Sequence, residues 1–283
     1  MKLTITGSGG MLGRRLCELG RARGHEVCPL DLPDFDLTRP EEAAEILGAG
    51  KPDAVIHTAA LTDVDACESR VAEAMTINGE AVGPLAQAAR EGGAYFLAIG
   101  TDYVFDGRKG EPHGTDDATN PETVYGRSKL LGEKLALEEG GAVARLAWLF
   151  GPDGKNFVAT IAGLLLDGKT LKVVDDQRGT PTFTRDVAGA LLDLAEARAE
   201  GIWHVCNGGS ATWYELAVQI ARDMGPSAEL RVKPCGTEEY PRPAPRPADS
   251  RLDISRFEEA FQAMPPWQDA LTRYLKEMGW LAR

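Results

Sequence analysis

Cysteine, histidine and net positive charge are all scarce in this sequence, and each scarcity removes a class of function. The five cysteines among 283 residues (Cys17, Cys28, Cys67, Cys206, Cys235) are scattered, odd in number and never in CxxC spacing. Neither a disulfide framework nor a zinc site is expected, and a reducing, cytoplasmic setting is. The four histidines form no HxxxH pair, so no metal is expected. Acidic residues outnumber basic ones 43 to 31, for a net charge of −12. That balance disfavours nucleic acid or an anionic membrane surface as the main partner. It leaves a small anionic ligand open, because a few local arginines or helix N-termini can hold one. No apolar run approaches membrane-spanning length. The N-terminus enters strand-like sequence with no signal-peptide pattern, and there are no internal repeats. What remains, 43% hydrophobic and 26% charged residues, is ordinary for a globular chain long enough for one or two domains.

The start of the chain carries the first positive signal. Lys2–Thr6 reads as a β-strand and runs into Gly7-Ser8-Gly9-Gly10-Met11-Leu12-Gly13. Leu12, Leu16 and Leu19 then recur at helical spacing until Gly24 supplies a stop. Strand, glycine turn and helix form the context a dinucleotide needs: glycines let the backbone approach a pyrophosphate, and the helix N-terminus offers free N–H groups. Asp31, ending a second strand over 26–31, is either an acceptor for an adenosine ribose hydroxyl or a plain loop aspartate.

Further strands are expected over 53–57, 94–99 and 142–148, separated by helices over 38–47, 72–90 and 125–139. Thr38 and Glu41 read as a capping box for the first of these helices, and Pro84 as a kink in the second. The fold class is therefore α/β, a Rossmann-like doubly wound parallel sheet. Residues 1–150 form its dinucleotide-binding domain, rejoined by parts of 180–210, and 151–283 a smaller substrate-binding α/β portion. Small residues after the third strand, Ala59, Ala60 and Thr62, leave room for a ligand in the crevice. His57 reads as structural.

The stretch from Thr101 to Lys129 reads as the working part. Tyr125 and Lys129, four apart, share one face of a helix. An ammonium beside a phenol favours the phenolate, which would let the tyrosine move a proton near neutral pH. Thr101 adds a hydroxyl for the same substrate oxygen. The spacing alone also describes a half-buried tyrosine with a solvated lysine; the glycine-rich start is what favours chemistry. The proline-dense 240–247 segment is either a rigid connector or a brace holding Arg242 or Arg246 against a phosphate.

Taken together, these motifs resemble the extended short-chain dehydrogenase/reductases and, among them, the dTDP-4-dehydrorhamnose reductases, over nearly the whole chain. The resemblance rests on Thr6–Gly13, His57–Asp65, Thr101–Gly107, Val124–Lys129, Asp176–Thr182 and Arg246–Leu252. It implies NADPH or NADH as cofactor and reduction of a C4 ketone on a nucleotide-sugar substrate. It also implies Thr101, Tyr125 and Lys129 as catalytic residues. Gly7, Gly9, Gly10, Met11, Leu12, Gly13, Asp31, Ala59, Ala60, Thr62 and Asn78 would serve the cofactor. Asp102, Tyr103 and Trp148 would line the sugar pocket, with Trp148 equally readable as core. Asn156, Arg246 and Arg251 would face the diphosphate. Relatives usually carry serine where this chain has Gly100. Some pair through metal-bridging glutamates near the first helix, where this chain has Arg14 and Arg15, so no metal is carried over. A homodimer is left open. Two rivals remain: a reductase of another nucleotide 4-keto-6-deoxy sugar, and a non-catalytic NADP-binding regulatory subunit.

Overall fold

The computed structural model describes residues 1–282. Its first half alternates strands and helices: β1 (Lys2–Thr6), α1 (Met11–Ala22), β2 (Glu26–Leu30), α2 (Pro40–Ala49), β3 (Ala54–His57), α3 (Val64–Ser69), α4 (Val71–Met75), α5 (Val82–Glu91), β4 (Tyr95–Thr101), α6 (Val124–Glu138) and β5 (Ala142–Leu146). There follow β6 (Leu149–Phe150), α7 (Phe157–Leu166), β7 (Leu171–Val174), β8 (Arg178–Gly179), β9 (Thr182–Phe183), α8 (Thr184–Ala197), β10 (Ile202–His204), β11 (Ala211–Thr212) and α9 (Trp213–Met224). The main sheet has six strands in the order β10-β5-β4-β3-β1-β2, and every pairing in it is parallel. The chain reverses direction across the sheet between β1 and β3, which opens a crevice beyond their carboxyl ends, where such sheets take ligands.

Leu3, Ile5, Ile56 and Leu97 of the central strands are fully buried against Leu16 of α1 and Val187 and Leu191 of α8. On the other face Val55, Phe96 and Val143 meet Leu47 of α2 and Leu85 of α5. Strands covered on both faces read as apolar runs, which is why they were visible in the sequence. A separate core joins Val158, Ile161 and Leu165 of α7 to Leu216 and Ile220 of α9 and to Leu271 and Tyr274 near the C-terminus.

Three local expectations are corrected. The Thr38–Glu41 capping box does not form: the Thr38 hydroxyl donates to Asp36 Oδ1 at 2.8 Å. Helix α2 starts instead at Pro40, whose fixed φ suits the first helical position. The helix over 72–90 is interrupted, and the break is not at Pro84, which lies in the first turn of α5 where its missing N–H costs nothing. The irregular part is a π-helical turn at Thr76–Glu80. Upstream of it, α3 begins at an N-cap, Asp63, whose side chain accepts from Ala66 N at 2.9 Å. Thr212 and Glu215 form a capping box at the start of α9, and Gly24 ends α1 at φ +81°.

Candidate active site

The carboxyl ends of β1, β3 and β4 open onto one cavity of about 910 Å³. Its floor is the glycine turn. Gly7 adopts φ +65°, and a Cβ there would sit 2.7 Å from Ala59 N, so only glycine fits between β1 and the segment after β3. Gly13 packs α1 so closely on Gly7 and Ser8 that a side chain would overlap them. The first turn of α1 has no side-chain cap, which leaves backbone N–H groups facing the cavity for an anion. Gly7, Gly10, Met11, Gly13, Ala59, Ala60 and Thr62 all border the cavity. Leu12 borders it too, but its side chain is buried in the core.

Gly9 and Asp31 lie at one end, beside a second hollow that also includes Arg14 and Arg21. The Asp31 carboxylate accepts from Gly9 N at 2.5 Å and from Leu32 N at 2.8 Å. Asn78 does not line the cavity. Its side chain accepts from Leu61 N at 2.7 Å and donates to Leu61 O at 3.0 Å and Ser128 Oγ at 3.1 Å, bracing the segment after β3 against α6. The glycine cradle, the open helix end and the carboxylate beyond them fit a dinucleotide.

At the other end, Thr101, Tyr103, Tyr125, Lys129 and Trp148 border the same cavity. Helix α6 is capped by Thr123, which accepts from Gly126 N at 2.9 Å. Gly126 is obligatory, because a Cβ would overlap the Tyr103 carbonyl. That close approach sets the Tyr125 ring edge-on to Tyr103 at 5.6 Å and its phenol against the Thr101 hydroxyl.

Tyr125 and Lys129 lie one turn apart on α6 and border the same cavity. Burial pushes the Tyr125 phenol well above its ordinary range, with the Thr101 hydroxyl opposing. Burial likewise lowers Lys129 to about 8, opposed by Glu133 one turn along α6. The cavity therefore holds a neutral phenol, suited to giving up a proton rather than taking one. Below them His57 accepts or donates to Thr6 Oγ1 at 2.8 Å and is held neutral, lowered to about 3 by burial and by Lys129; it is structural, as read.

Asp102 also borders the cavity, with its side chain largely buried and accepting from the Thr101 hydroxyl at 3.1 Å. Trp148 adopts a left-handed backbone, φ +43°, and its ring stacks on Trp213 at 3.4 Å and 3°. Both rings border the cavity, and Gly179 lies so close beneath Trp148 that no side chain fits. Asn156 does not border the cavity: it caps α7 by accepting from Ala159 N at 2.9 Å and donates to Gly151 O at 2.8 Å. Arg251 is also directed elsewhere, to Asp249 at 2.6 Å and Gly110 O at 2.9 Å. Arg246 does not border the cavity; it pairs with Asp65 at 3.0 Å and donates to Ala244 O at 2.8 Å. The sequence reading missed Trp213, Arg70 and Lys155, which do border the cavity. A signal for Trp213 was present, a large aromatic directly after a capping threonine, where helices normally place small or acidic residues.

The model of the family described as "RmlD substrate binding domain" matches residues 1–279. A dTDP-4-dehydrorhamnose reductase of Streptomyces griseus is 42% identical, covering 95% of this chain and 91% of that relative. The crystal structure of a dTDP-4-dehydrorhamnose reductase from Clostridium acetobutylicum superposes with a TM-score of 0.93 at 38% identity, over 99% of this chain and 100% of that one. A Bacillus anthracis dTDP-4-dehydrorhamnose reductase, solved in complex with NADP, gives a TM-score of 0.93 at 32% identity, over 98% and 100% of the two chains.

Proposed function

The chain belongs to the RmlD substrate-binding-domain family, and from that premise we propose that it is an NAD(P)H-dependent oxidoreductase. Its reaction reduces the C4 ketone of dTDP-4-dehydro-L-rhamnose to dTDP-L-rhamnose, the last step of dTDP-rhamnose biosynthesis. The observation that carries the reading is the single cavity shared by the glycine turn and by Thr101, Tyr125 and Lys129. The five cysteines are all unpaired, which suits a cytoplasmic site of action.

When bound, the reduced nicotinamide supplies hydride to the carbonyl carbon. Negative charge then develops on the ketone oxygen, and the chain's own groups meet it. Tyr125, held neutral by burial, donates its phenolic proton to that oxygen as general acid, a contribution typically worth about 10²–10⁴ in rate. Thr101 orients the oxygen from the end of β4. Lys129 holds the nicotinamide ribose. The Trp148–Trp213 pair walls the sugar end and keeps water out, while Arg70 and Lys155 supply positive charge around a diphosphate.

The test is oxidation of NADPH and of NADH with enzymatically prepared dTDP-4-dehydrorhamnose, with the product identified by NMR. Turnover to dTDP-L-rhamnose is expected. Turnover only with a different nucleotide keto-sugar would move the substrate, and cofactor binding without turnover of any would favour a regulatory subunit.

A further inference from the structure

Asp102 is 2% exposed and makes no ion pair among the described residues. One oxygen, Oδ1, accepts from the Thr101 hydroxyl at 3.1 Å; the other, Oδ2, is sealed from solvent without a hydrogen-bond partner. The groups facing it are uncharged. Tyr103 and Tyr125 are both held neutral by burial. The Cys206 thiol, raised to about 12 by burial, is a neutral neighbour, and the Ser250 hydroxyl comes from the Arg246–Leu252 motif. An ionised carboxylate with one oxygen unsatisfied in such a place is costly.

Thr101 Oγ1 already accepts from Tyr103 N at 3.2 Å and lies against the Tyr125 phenol. A hydroxyl has one proton to give. While Asp102 is a carboxylate, that proton is committed to Oδ1, and Thr101 has none for a substrate oxygen.

We propose that Asp102 is a positioning residue for the reduction: as a neutral acid it donates to Thr101 Oγ1 and turns the Thr101 proton toward the ketone oxygen, and as a carboxylate it withdraws that proton. The proposal rests on the reductase reading above. Burial raises Asp102 to about 6, with Ser250 and Thr101 opposing, so the switch lies within reach of physiological pH. The sign follows directly. Below that value Thr101 is a donor to substrate; above it the donor is lost, and a lost donor to a developing oxyanion costs about 10²–10³ in rate.

The experiment is the pH profile of kcat/KM, which reports groups of the free enzyme, for wild type, Asp102→Asn and Ser250→Ala. Wild type is expected to lose activity through a limb near the Asp102 value, with a second limb near 8 from Lys129. Asp102→Asn, whose amide can donate to Thr101 permanently, should lose the lower limb and keep the upper one. Ser250→Ala removes a neighbouring hydroxyl that favours the carboxylate and should move the lower limb to higher pH. A flat wild-type profile across that range, or a lower limb that persists in Asp102→Asn, overturns the proposal. If Asp102→Asn does not fold, the Ser250→Ala displacement decides, and an unmoved limb counts against it. Carbon-detected NMR titration of the Asp102 carboxyl needs no turnover. A carboxyl fully ionised at pH 5 would sink the proposal even if the substrate were misassigned, whereas absence of turnover with a correctly titrating Asp102 would fault the reductase reading alone.

Discussion

Gly100 and Glu133 are fitted to each other: a Cβ on Gly100 would overlap Glu133 Oε1 and lie 2.9 Å from Arg145 Cγ. Glu133 has nowhere to go. Its Oε2 accepts from Arg145 Nε at 3.0 Å and Nη2 at 2.9 Å, in a pair almost wholly buried beneath the active site. Its Oε1 is without a partner.

Gly100→Ala should therefore destabilise the protein by about 1–3 kcal/mol, the usual cost of overpacking. Gly100→Ser meets the same overlap but brings a hydroxyl that can donate to Oε1. It should recover about 1 kcal/mol of that loss. Urea denaturation of the three proteins gives the order glycine, serine, alanine; an alanine variant as stable as wild type would mean that Glu133 has room to move.

Lys129→Met should abolish reduction and yet stabilise the unliganded fold. Lys129 is lowered from 10.5 to about 8 by burial. The unfolded chain therefore binds more protons than the folded one between these values, and stability rises with pH across that window. Below pH 8 the full penalty is present, so at pH 7 the variant should gain about 1–3 kcal/mol. The gain should shrink toward pH 10.5. Denaturation at the two ends of the window checks it, and a variant less stable than wild type at pH 7 contradicts the burial penalty.

Asp31 sets the charge at the far end of the cavity. Removing its carboxylate in Asp31→Ser relieves repulsion of a 2′-phosphate, worth about 1 kcal/mol or more, and Arg14 and Arg21 remain nearby. Affinity for NADPH relative to NADH should rise roughly five- to tenfold. Fluorescence quenching measures both dissociation constants without turnover. An unchanged ratio would place the ribose away from Asp31.

Trp213→Ala should raise KM for the nucleotide sugar more than it lowers kcat. The ring supports Trp148 in its left-handed backbone and stacks on it at 3.4 Å, and an aromatic pair contributes about 0.5–1.5 kcal/mol beyond its buried area. Steady-state kinetics separate the two constants; a loss confined to kcat would put Trp213 nearer the reacting atoms than the sugar wall.

What could be read in advance, and what could not, follows from where the information resides. The central strands are covered on both faces, so Ala54–His57 and Tyr95–Ile99 appear as bare apolar runs. The glycine turn was legible because Gly7 and Gly13 answer to local backbone contacts. The π-helical turn at Thr76–Glu80 was not: Thr76, Asn78 and Gly79 are weak helix formers, but weak propensity does not say whether a helix ends, kinks or widens. Asn78 inside it is held by Leu61 and Ser128, partners distant in sequence. The same limit explains Thr38, which was captured by Asp36, and Asn156 and Arg251, whose residue types suited a phosphate while their neighbours claimed them first. The Tyr125–Lys129 spacing carries the geometry, since both residues border one cavity, but not the burial that raises the phenol and lowers the lysine. Spacing places two groups on one face, but it does not report the burial that dominates both.

Tyr125→Phe isolates the proton. The phenol is buried against Thr101 and Tyr103 and stays protonated across the working pH range. Wild type should therefore show no alkaline limb from Tyr125 below pH 10, and the fall near 8 belongs to Lys129. Phenylalanine keeps the ring and its edge-on contact with Tyr103 but has no proton to give. It should cost at least two decades in kcat, within the about 10²–10⁴ typical of a lost general acid. Affinity for NADPH should barely change, because the glycine cradle that receives the dinucleotide is untouched. Single-turnover oxidation of NADPH beside a binding titration makes the comparison. If the variant kept more than about a tenth of the wild-type rate, another group would be delivering the proton, and Thr101 would be the first to examine.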